Sequence, residues 1–266
     1  MVAYATNPVD GNQVYFEDDD GDRAAVVFHG GFGEAVDLVR DSPAAQAVPT
    51  DEFRHIYVDH RGHGHSDKPH DPEAYAMRLR VADVVAVLDE LGIERAHFIG
   101  VSWGGRLGFG IGEHAPDRVL SLVIGGQQPY GWPDSPLTRA VTEGLAASQR
   151  EGMEAFAKAL EGFWGIRLPE PRRARGLDND PAALHAAWTT ALAEGAIAAD
   201  LRSWRVPCLI FIGAADADFL DQARRAASEI PNAEFISVQD LDHYGAHTSP
   251  DEVVLDAILR TLGGAI

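Results

Sequence analysis

The chain of 266 residues is poor in cysteine and has no long hydrophobic run. Cys208 is its one cysteine, and an intramolecular disulfide needs two. The longest apolar runs, such as 119–124, fall well short of the roughly 18 residues that a membrane-spanning helix needs. The N-terminal stretch has no basic segment followed by an apolar one, so no secretory signal is expected. These absences predict a cytoplasmic protein that does not contact a membrane.

Positive charge is also scarce. The chain has 22 lysine and arginine residues against 41 aspartate and glutamate residues, which gives a formal net charge of -19. Lys68 and Lys158 are its two lysines. Such a surface repels a nucleic acid backbone and an anionic membrane, so neither is expected as a partner. A salt-adapted source and a merely soluble surface would both produce this composition.

What the sequence does contain is an alternation of strand and helix patterns. Strands are predicted over 13–17, 24–28, 55–58, 97–101, 119–124, 206–212 and 233–238. Helical patterns lie between them, including a long helix that ends at Gly92 and another over 103–114. This order is typical of an α/β fold with a mostly parallel central sheet flanked by helices. The first two strands are expected to form a hairpin around the acidic turn 18–22, and Ser249 is expected to cap the last helix.

The alternation stops between about residues 125 and 205, where only helical patterns are found. The simplest organisation is one α/β core, made of 1–127 and 206–266, interrupted by a helical insertion over 128–205. Trp132 and Trp164 of this insertion are candidates for lining an apolar pocket, although helical aromatic residues often pack against their own neighbours. Its cluster of arginines, Arg167, Arg172, Arg173 and Arg175, is expected to lie in an exposed polar loop.

The most specific motif is Gly-Val-Ser-Trp-Gly at 100–104, which fits G-x-S-x-G. It lies between a predicted strand and a predicted helix. In such an elbow the serine occupies a tight, strained turn, and small flanking residues let the strand and the helix approach each other. Three fixed positions also recur by chance, but the flanking strand and helix favour Ser102 as a nucleophile.

With this elbow the chain resembles the α/β-hydrolase family over nearly its whole length. The resemblance implies the α/β-hydrolase fold, with residues 128–205 as a helical lid. The stretch 29–33, His-Gly-Gly-Phe-Gly, is similar to the turn that supplies one backbone N–H of the family's oxyanion hole. That role is assigned to Gly31, with Phe32 as the near alternative. The second N–H would come from Trp103.

The same resemblance implies an acid and a base that follow the serine in chain order. The stretch 213–216 is similar to the family's G-x-x-D and places Asp216 as the acid, with Asp218 and Asp221 as rivals. His243 is the expected base, with His247 as its rival. The family usually has glycine directly before this histidine, whereas this chain has Asp242. An adjacent carboxylate favours the charged imidazolium form of the base.

The stretch 59–69 is similar to a family loop in which an arginine and an aspartate hold neighbouring loops together, so a structural role is assigned to it. Residues 63–67 also match the start of the metallo-hydrolase motif H-x-H-x-D-H through His63, His65 and Asp67. Lys68 stands where the motif needs a further histidine. Because a metal site needs several correctly placed ligands, no metal is expected. No cofactor is expected either.

Together these residues predict a serine hydrolase that cleaves a carboxylic ester, lactone or thioester through an acyl-enzyme on Ser102. Carboxylesterase is the broadest label. The same triad also supports carbon–carbon bond hydrolysis of diketones, perhydrolysis and cofactor-free haloperoxidase chemistry. A proline iminopeptidase-like aminopeptidase is a further alternative, although Phe32 stands where such enzymes usually have proline. A slow-turnover small-molecule receptor is the non-enzymatic alternative. The expected partner is a small carbonyl substrate, and a homodimer is left open.

Overall fold

The computed structural model describes residues 1–249 and 251–264, except for the side chain of His247. Its strands form one eight-stranded sheet in the order β1-β2-β4-β3-β5-β6-β7-β8. The first two strands run antiparallel to their neighbours, and the remaining pairs are parallel. The strands are β1 Val2–Thr6, β2 Gln13–Asp18, β3 Ala24–His29, β4 Phe53–Val58, β5 Ala96–Val101, β6 Val119–Gly125, β7 Cys208–Gly213 and β8 Ala233–Val238.

Helices cover both faces of the sheet, which confirms the predicted fold class. Because β3, β5, β6 and β7 are covered on both faces, they are almost continuously apolar and buried. One buried cluster packs α3, α4 and α9 against the sheet, and the other packs α1, α2 and α11. The helices of this core are α1 Val36–Arg40, α2 Pro43–Ala47, α3 Met77–Glu90, α4 Trp103–His114, α9 Leu220–Glu229, α10 His243–Thr248 and α11 Glu252–Gly263.

The chain between β6 and β7 is helical wherever it is regular, as the sequence predicts. Ser135 and Asp180 cap α5 and α8, and proline follows each cap at the first helical position. The Ile197 N–H donates to the Pro129 carbonyl at 2.7 Å, which brings the two ends of this segment together. Its α-helices are α5 Pro136–Glu151, α6 Met153–Trp164, α7 Arg172–Leu177 and α8 Pro181–Ala193.

The expected hairpin of β2 and β3 was wrong, because β4 lies between these strands. The acidic turn is not fully solvated either. Asp18 is buried and accepts two hydrogen bonds from Arg54 of β4, at 2.8 and 2.7 Å. Burial raises the pKa of the Asp18 carboxyl, but the bonds and charge of Arg54 outweigh this effect and the pKa is lowered.

The last helix also begins differently from the expectation. Asp251 rather than Ser249 is its N-cap, and the Asp251 side chain accepts from the Val254 N–H at 3.2 Å. Strand β1 and helix α9 were not predicted. The described residues include no helix long and apolar enough to cross a membrane.

Arg61, in the loop after β4, holds this loop against α3. Its Nε and Nη2 each donate to the Asp83 carboxylate at 2.6 Å, and its Nη1 donates to Asp10 at 2.8 Å. Asp59 of the same loop accepts from the backbone N–H groups of Val36 and His65, each at 2.8 Å. These bonds give the loop a structural role of the kind expected from the sequence.

Candidate active site

Ser102 occupies a strained turn between β5 and α4. Its φ of 54° and ψ of -109° place a non-glycine residue in a region that L-residues seldom adopt. The turn is possible because its neighbours are glycines: a Cβ on Gly100 would lie 2.3 Å from the Gly104 carbonyl oxygen. A Cβ on Gly104 would lie 2.6 Å from the His29 carbonyl oxygen. The G-x-S-x-G spacing therefore reflects a close approach of strand and helix.

The three side chains expected to form a triad lie in hydrogen-bonding contact. Ser102 Oγ is 2.9 Å from His243 Nε2, and His243 Nδ1 is 2.8 Å from Asp216 Oδ2. Asp216 and His243 are both buried. They meet Ser102 because β5, β7 and β8 are parallel, so the loops after these strands share one edge of the sheet.

The backbone explains how the acid and the base approach each other. Asp216 lies in the turn after β7, and His243 is the first residue of α10 after β8. A Cβ on Gly213 would lie 2.1 Å from the Leu241 carbonyl oxygen, so these two loops touch directly. Asp218 and Asp221, the rival acids, are more exposed than Asp216. The side chain of the rival base His247 lies outside the described residues.

The pKa of His243 is raised by its neighbours. Burial lowers this pKa, but the charge and hydrogen bond of Asp216, followed by the charges of Asp242 and Asp218, outweigh burial. The family usually has glycine at the position of Asp242, and the raised pKa agrees with the expectation that this carboxylate favours the charged form of the histidine. Asp242 also caps α10, because its side chain accepts from the Gly245 N–H at 2.7 Å.

The loop after β3 modifies the expected oxyanion hole. The Gly31 N–H donates to Glu34 Oε2 at 2.7 Å, so it is already engaged within its own loop. Phe32 and Trp103 differ, because within the described part of the chain neither backbone N–H donates to an acceptor. This geometry moves the candidate donor from Gly31 to Phe32, the alternative that the sequence left open. The Phe32 and Trp103 rings pack edge to face, with centroids 4.8 Å apart.

Ser102 and His243 line a cavity of about 960 Å³, its open mouth included. The walls are mainly apolar, and more than half of the lining residues come from the segment between β6 and β7. Trp132 and Trp164 both lie in this lining, as do Phe32 and Trp103. The other apolar side chains of the wall are Leu38, Leu137, Val141, Phe156, Ala157, Leu160, Leu168, Trp188 and Phe219.

The sequence did not predict the polar groups of this lining. Arg172 and Arg173 lie in α7 and border the cavity, so the exposed polar loop expected for the arginine cluster was wrong for these two. Arg172 forms an ion pair with Glu34, and Arg173 donates to Glu154 and Glu161 at 2.7 and 3.0 Å. The four arginines within nine residues were visible in the sequence. Their spacing does not show that two of them pair with glutamates elsewhere in the chain and border the cavity.

The His-rich stretch 59–69 packs against the loop after β3. His63 is fully buried, and its Nδ1 lies 3.1 Å from the Arg61 carbonyl oxygen. Its ring packs edge to face with Phe32, with centroids 5.5 Å apart. Among residues 1–249 and 251–264, no group of three or more histidine, cysteine, aspartate or glutamate residues could hold a metal ion.

Known proteins resemble this chain over most of its length. A provisionally assigned carbamate hydrolase, RutD of Caulobacter sp. strain K31, is 31% identical over 261 residues, covering 91% of this chain and 92% of the relative. The 3-oxoadipate enol-lactonase 2 of Acinetobacter baylyi is 28% identical over 73% of this chain and 72% of its own length. A crystal structure of a hydrolase from Pseudomonas aeruginosa matches with a TM-score of 0.83 and 25% identity, over 98% of both chains.

The family model for the alpha/beta hydrolase fold matches residues 24–250, from the first parallel strand to the start of the last helix. This match covers most of the chain and includes the strained serine turn and the loops that hold Asp216 and His243. The chain therefore belongs to the α/β-hydrolase fold family.

Proposed function

We propose that this protein is a serine hydrolase that cleaves a carboxylic ester or lactone through an acyl-enzyme on Ser102. The observation that carries the proposal is the pair of contacts through His243, 2.9 Å to Ser102 Oγ and 2.8 Å to Asp216 Oδ2. This is the arrangement in which a base activates a serine and an acid orients the base.

In the proposed reaction, Ser102 Oγ bonds to the substrate carbonyl carbon and its proton moves to His243 Nε2. Asp216 accepts from Nδ1–H and stabilises the imidazolium. The backbone N–H groups of Phe32 and Trp103 donate to the oxyanion. The bond to the leaving oxygen breaks, and that oxygen takes the proton from Nε2. Water then attacks the acyl carbon and gives its proton to His243. The Ser102–acyl bond breaks, and Ser102 regains the proton.

The apolar wall supports a substrate with a hydrophobic acyl or alcohol part. A lactone fits the same chemistry, because the leaving oxygen stays attached to the acyl part, and the relative from Acinetobacter baylyi is named an enol-lactonase. A carbamate is a second candidate, favoured by the 31% identity to RutD across 91% of the chain. An aminopeptidase needs an acidic side chain near the site to bind the substrate amine. Among the described residues that line the cavity, the acidic side chain is Glu34, and it is already paired with Arg172, so this activity is not favoured.

The proposal includes a lid. Residues 128–205 would form it, over a core built from 1–127 and 206–266. Residues of this segment supply about half of the cavity lining, which supports this division. Trp132 and Trp164 would contact the substrate.

Labelling with a fluorophosphonate probe tests the nucleophile without a choice of substrate. We expect one adduct, mapped by peptide mass to Ser102, and no adduct in Ser102→Ala or His243→Ala. Ester turnover should fall by several orders of magnitude in Ser102→Ala, because nucleophile and base act as a unit. Turnover that persists in folded Ser102→Ala would refute the proposal. A parallel panel of aryl esters, lactones, an aryl carbamate and a diketone separates the substrate classes.

A further inference from the structure

Glu34 forms the centre of the loop after β3. Its Oε2 accepts from the Gly31 N–H at 2.7 Å, and the loop is wrapped closely around the carboxyl group. A Cβ on Gly30 would lie 2.8 Å from Glu34 Oε2 and 2.6 Å from the Val39 side chain. Glu34 is 8% exposed, so its charge is largely removed from water. A buried carboxylate needs both hydrogen bonds and a counter-charge.

The counter-charge comes from a different part of the fold. Arg172, in α7 of the segment between β6 and β7, forms an ion pair with Glu34. The same guanidinium lies 5.6 Å from the centroid of the Tyr244 ring. Tyr244 directly follows the proposed base His243. Arg172 therefore contacts both the loop that carries Phe32 and the helix that begins with His243.

A second bond joins the same two regions. Asn179 Nδ2 donates to the Gly33 carbonyl oxygen at 2.8 Å, at a glycine with a φ of +82°. The turn 31–34 is thus fixed from inside by Glu34 and from outside by Arg172 and Asn179. Phe32 of this turn lines the cavity, and its backbone N–H has no acceptor among the described residues.

We infer that Glu34 and Arg172 are positioning residues for the oxyanion hole: together they engage the Gly31 N–H and hold the turn so that the Phe32 N–H stays available to the substrate oxygen. The inference rests on the proposed function. It makes the hole depend on one side chain of α7, Arg172, which pairs with Glu34. Neither residue exchanges a proton with the substrate. Their effect is on the tetrahedral intermediate, because an oxyanion donor acts mainly where negative charge develops.

The test compares substitutions that differ in what they preserve. Glu34→Ala removes the acceptor for the Gly31 N–H, whereas Glu34→Gln keeps an acceptor and removes the charge. Arg172→Met removes the counter-charge, whereas Arg172→Lys keeps it. With a p-nitrophenyl ester we expect Glu34→Ala and Arg172→Met to lower kcat about 10- to 100-fold, since misplaced catalytic groups cost factors of this size. KM should change little, and Glu34→Gln and Arg172→Lys should recover part of kcat.

Three further measurements separate positioning from a general loss of structure. Binding of an alkyl boronic acid, which forms a tetrahedral adduct on serine, should weaken in parallel with kcat. Hydrogen exchange of peptides covering 30–35 should become faster in both variants, because Glu34→Ala removes the acceptor of the Gly31 N–H and Arg172→Met removes the ion pair that holds this acceptor in place. Near-UV circular dichroism should remain unchanged.

Arg175 provides the matched control. It lies in the same helix, has similar exposure, and donates three hydrogen bonds to Asp37 of α1 at 2.6 to 3.2 Å. Arg175→Met should weaken the docking of α7 without touching Glu34, so its kcat should stay near wild type. An equal loss of kcat in Arg175→Met and Arg172→Met would overturn the inference in favour of general docking. Persistent turnover in Ser102→Ala would instead overturn the proposed function, and this inference with it.

Discussion

At the scale of single residues, Asp242 has two roles that can be separated. It caps α10 through the Gly245 N–H, and its charge contributes to the raised pKa of His243. The proposed base must be neutral to accept a proton, so activity should fall as the pH falls through this raised pKa. An asparagine can still cap the helix, because its side-chain oxygen also accepts a hydrogen bond.

We therefore expect Asp242→Asn to move the acidic limb of the kcat/KM profile to lower pH and to leave the plateau rate unchanged. The measurement is kcat/KM for an aryl ester between pH 4.5 and 9. Asp240→Asn is the control, since it removes the same charge from the same loop, but Asp240 is exposed and is not one of the largest contributors to the raised pKa of His243. Coincident profiles for wild type and Asp242→Asn would contradict the prediction.

The sequence predicted which side chains meet at Ser102, but it did not predict the contacts that hold the loop after β3. The G-x-S-x-G turn is a local pattern, and the resemblance to the α/β-hydrolase family implied the chain order of acid and base, so Asp216 and His243 could be named before the structure. Glu34 and Arg172 carry no comparable pattern. Their pairing depends on how α7 packs over the loop after β3, which no local spacing records.

At the scale of helices, strands and loops, the buried ion pair of Arg61 and Asp83 joins the loop after β4 to α3. Both side chains are buried, at 1% and 6% exposure. Removing one partner of a buried ion pair costs about 3 to 5 kcal/mol. Because Arg61 keeps its bond to the partly exposed Asp10, the cost of removing Asp83 should lie near the lower end of this range. We expect Asp83→Ala to lower the free energy of unfolding by this amount, measured by urea denaturation.

Asp89→Ala is the control for this prediction. Asp89 lies in the same helix and pairs with Arg118, but its side chain is 60% exposed. An exposed pair contributes about 0 to 1 kcal/mol, so this change should have little effect on stability. Similar losses in the two variants would show that the helix, rather than the buried pair, sets the cost.

The elements themselves were predictable where pattern and burial agree. The sequence placed the helix 103–114 and the strand 233–238 at the observed bounds. It failed for β2 and β3, because an acidic turn between two strands indicates a hairpin whether or not another strand inserts between them. Strand β1 was missed because its exposed residues Val2 and Tyr4 are apolar, so the sequence lacks the alternation of apolar and polar residues that indicates a half-buried strand.

At the scale of the whole molecule, several histidines are buried in the neutral form. Burial lowers the pKa of His29 to about 3, and that of His63 and His97 to about 4. The unfolded chain binds protons near pH 6.5, whereas the folded chain does so only below these values. The stability that these groups contribute is complete above about pH 6.5 and is lost as the pH falls toward 4.

We expect His97→Gln to reduce the loss of unfolding free energy at low pH. Between pH 6.5 and 4, the slope of the unfolding free energy with pH should decrease by up to about 1.4 kcal/mol per pH unit. Urea denaturation at several pH values measures the slope, and His185→Gln is the control, since His185 is exposed. An unchanged slope in His97→Gln would mean that His97 titrates alike in both states.

Arg106, four residues after Ser102, donates to the carbonyl oxygens of Gln128 and Tyr130 at 3.3 and 2.9 Å and to that of Gly195 at 3.4 Å. One side chain thus binds both ends of the helical segment between β6 and β7, beside the backbone bond from Ile197 to Pro129. For protein engineering these two anchor points mark residues 131–194 as the stretch in which the pocket can be redesigned while the sheet is left unchanged. Such a redesign has to keep Arg172 and Asn179, because both side chains hold the loop after β3.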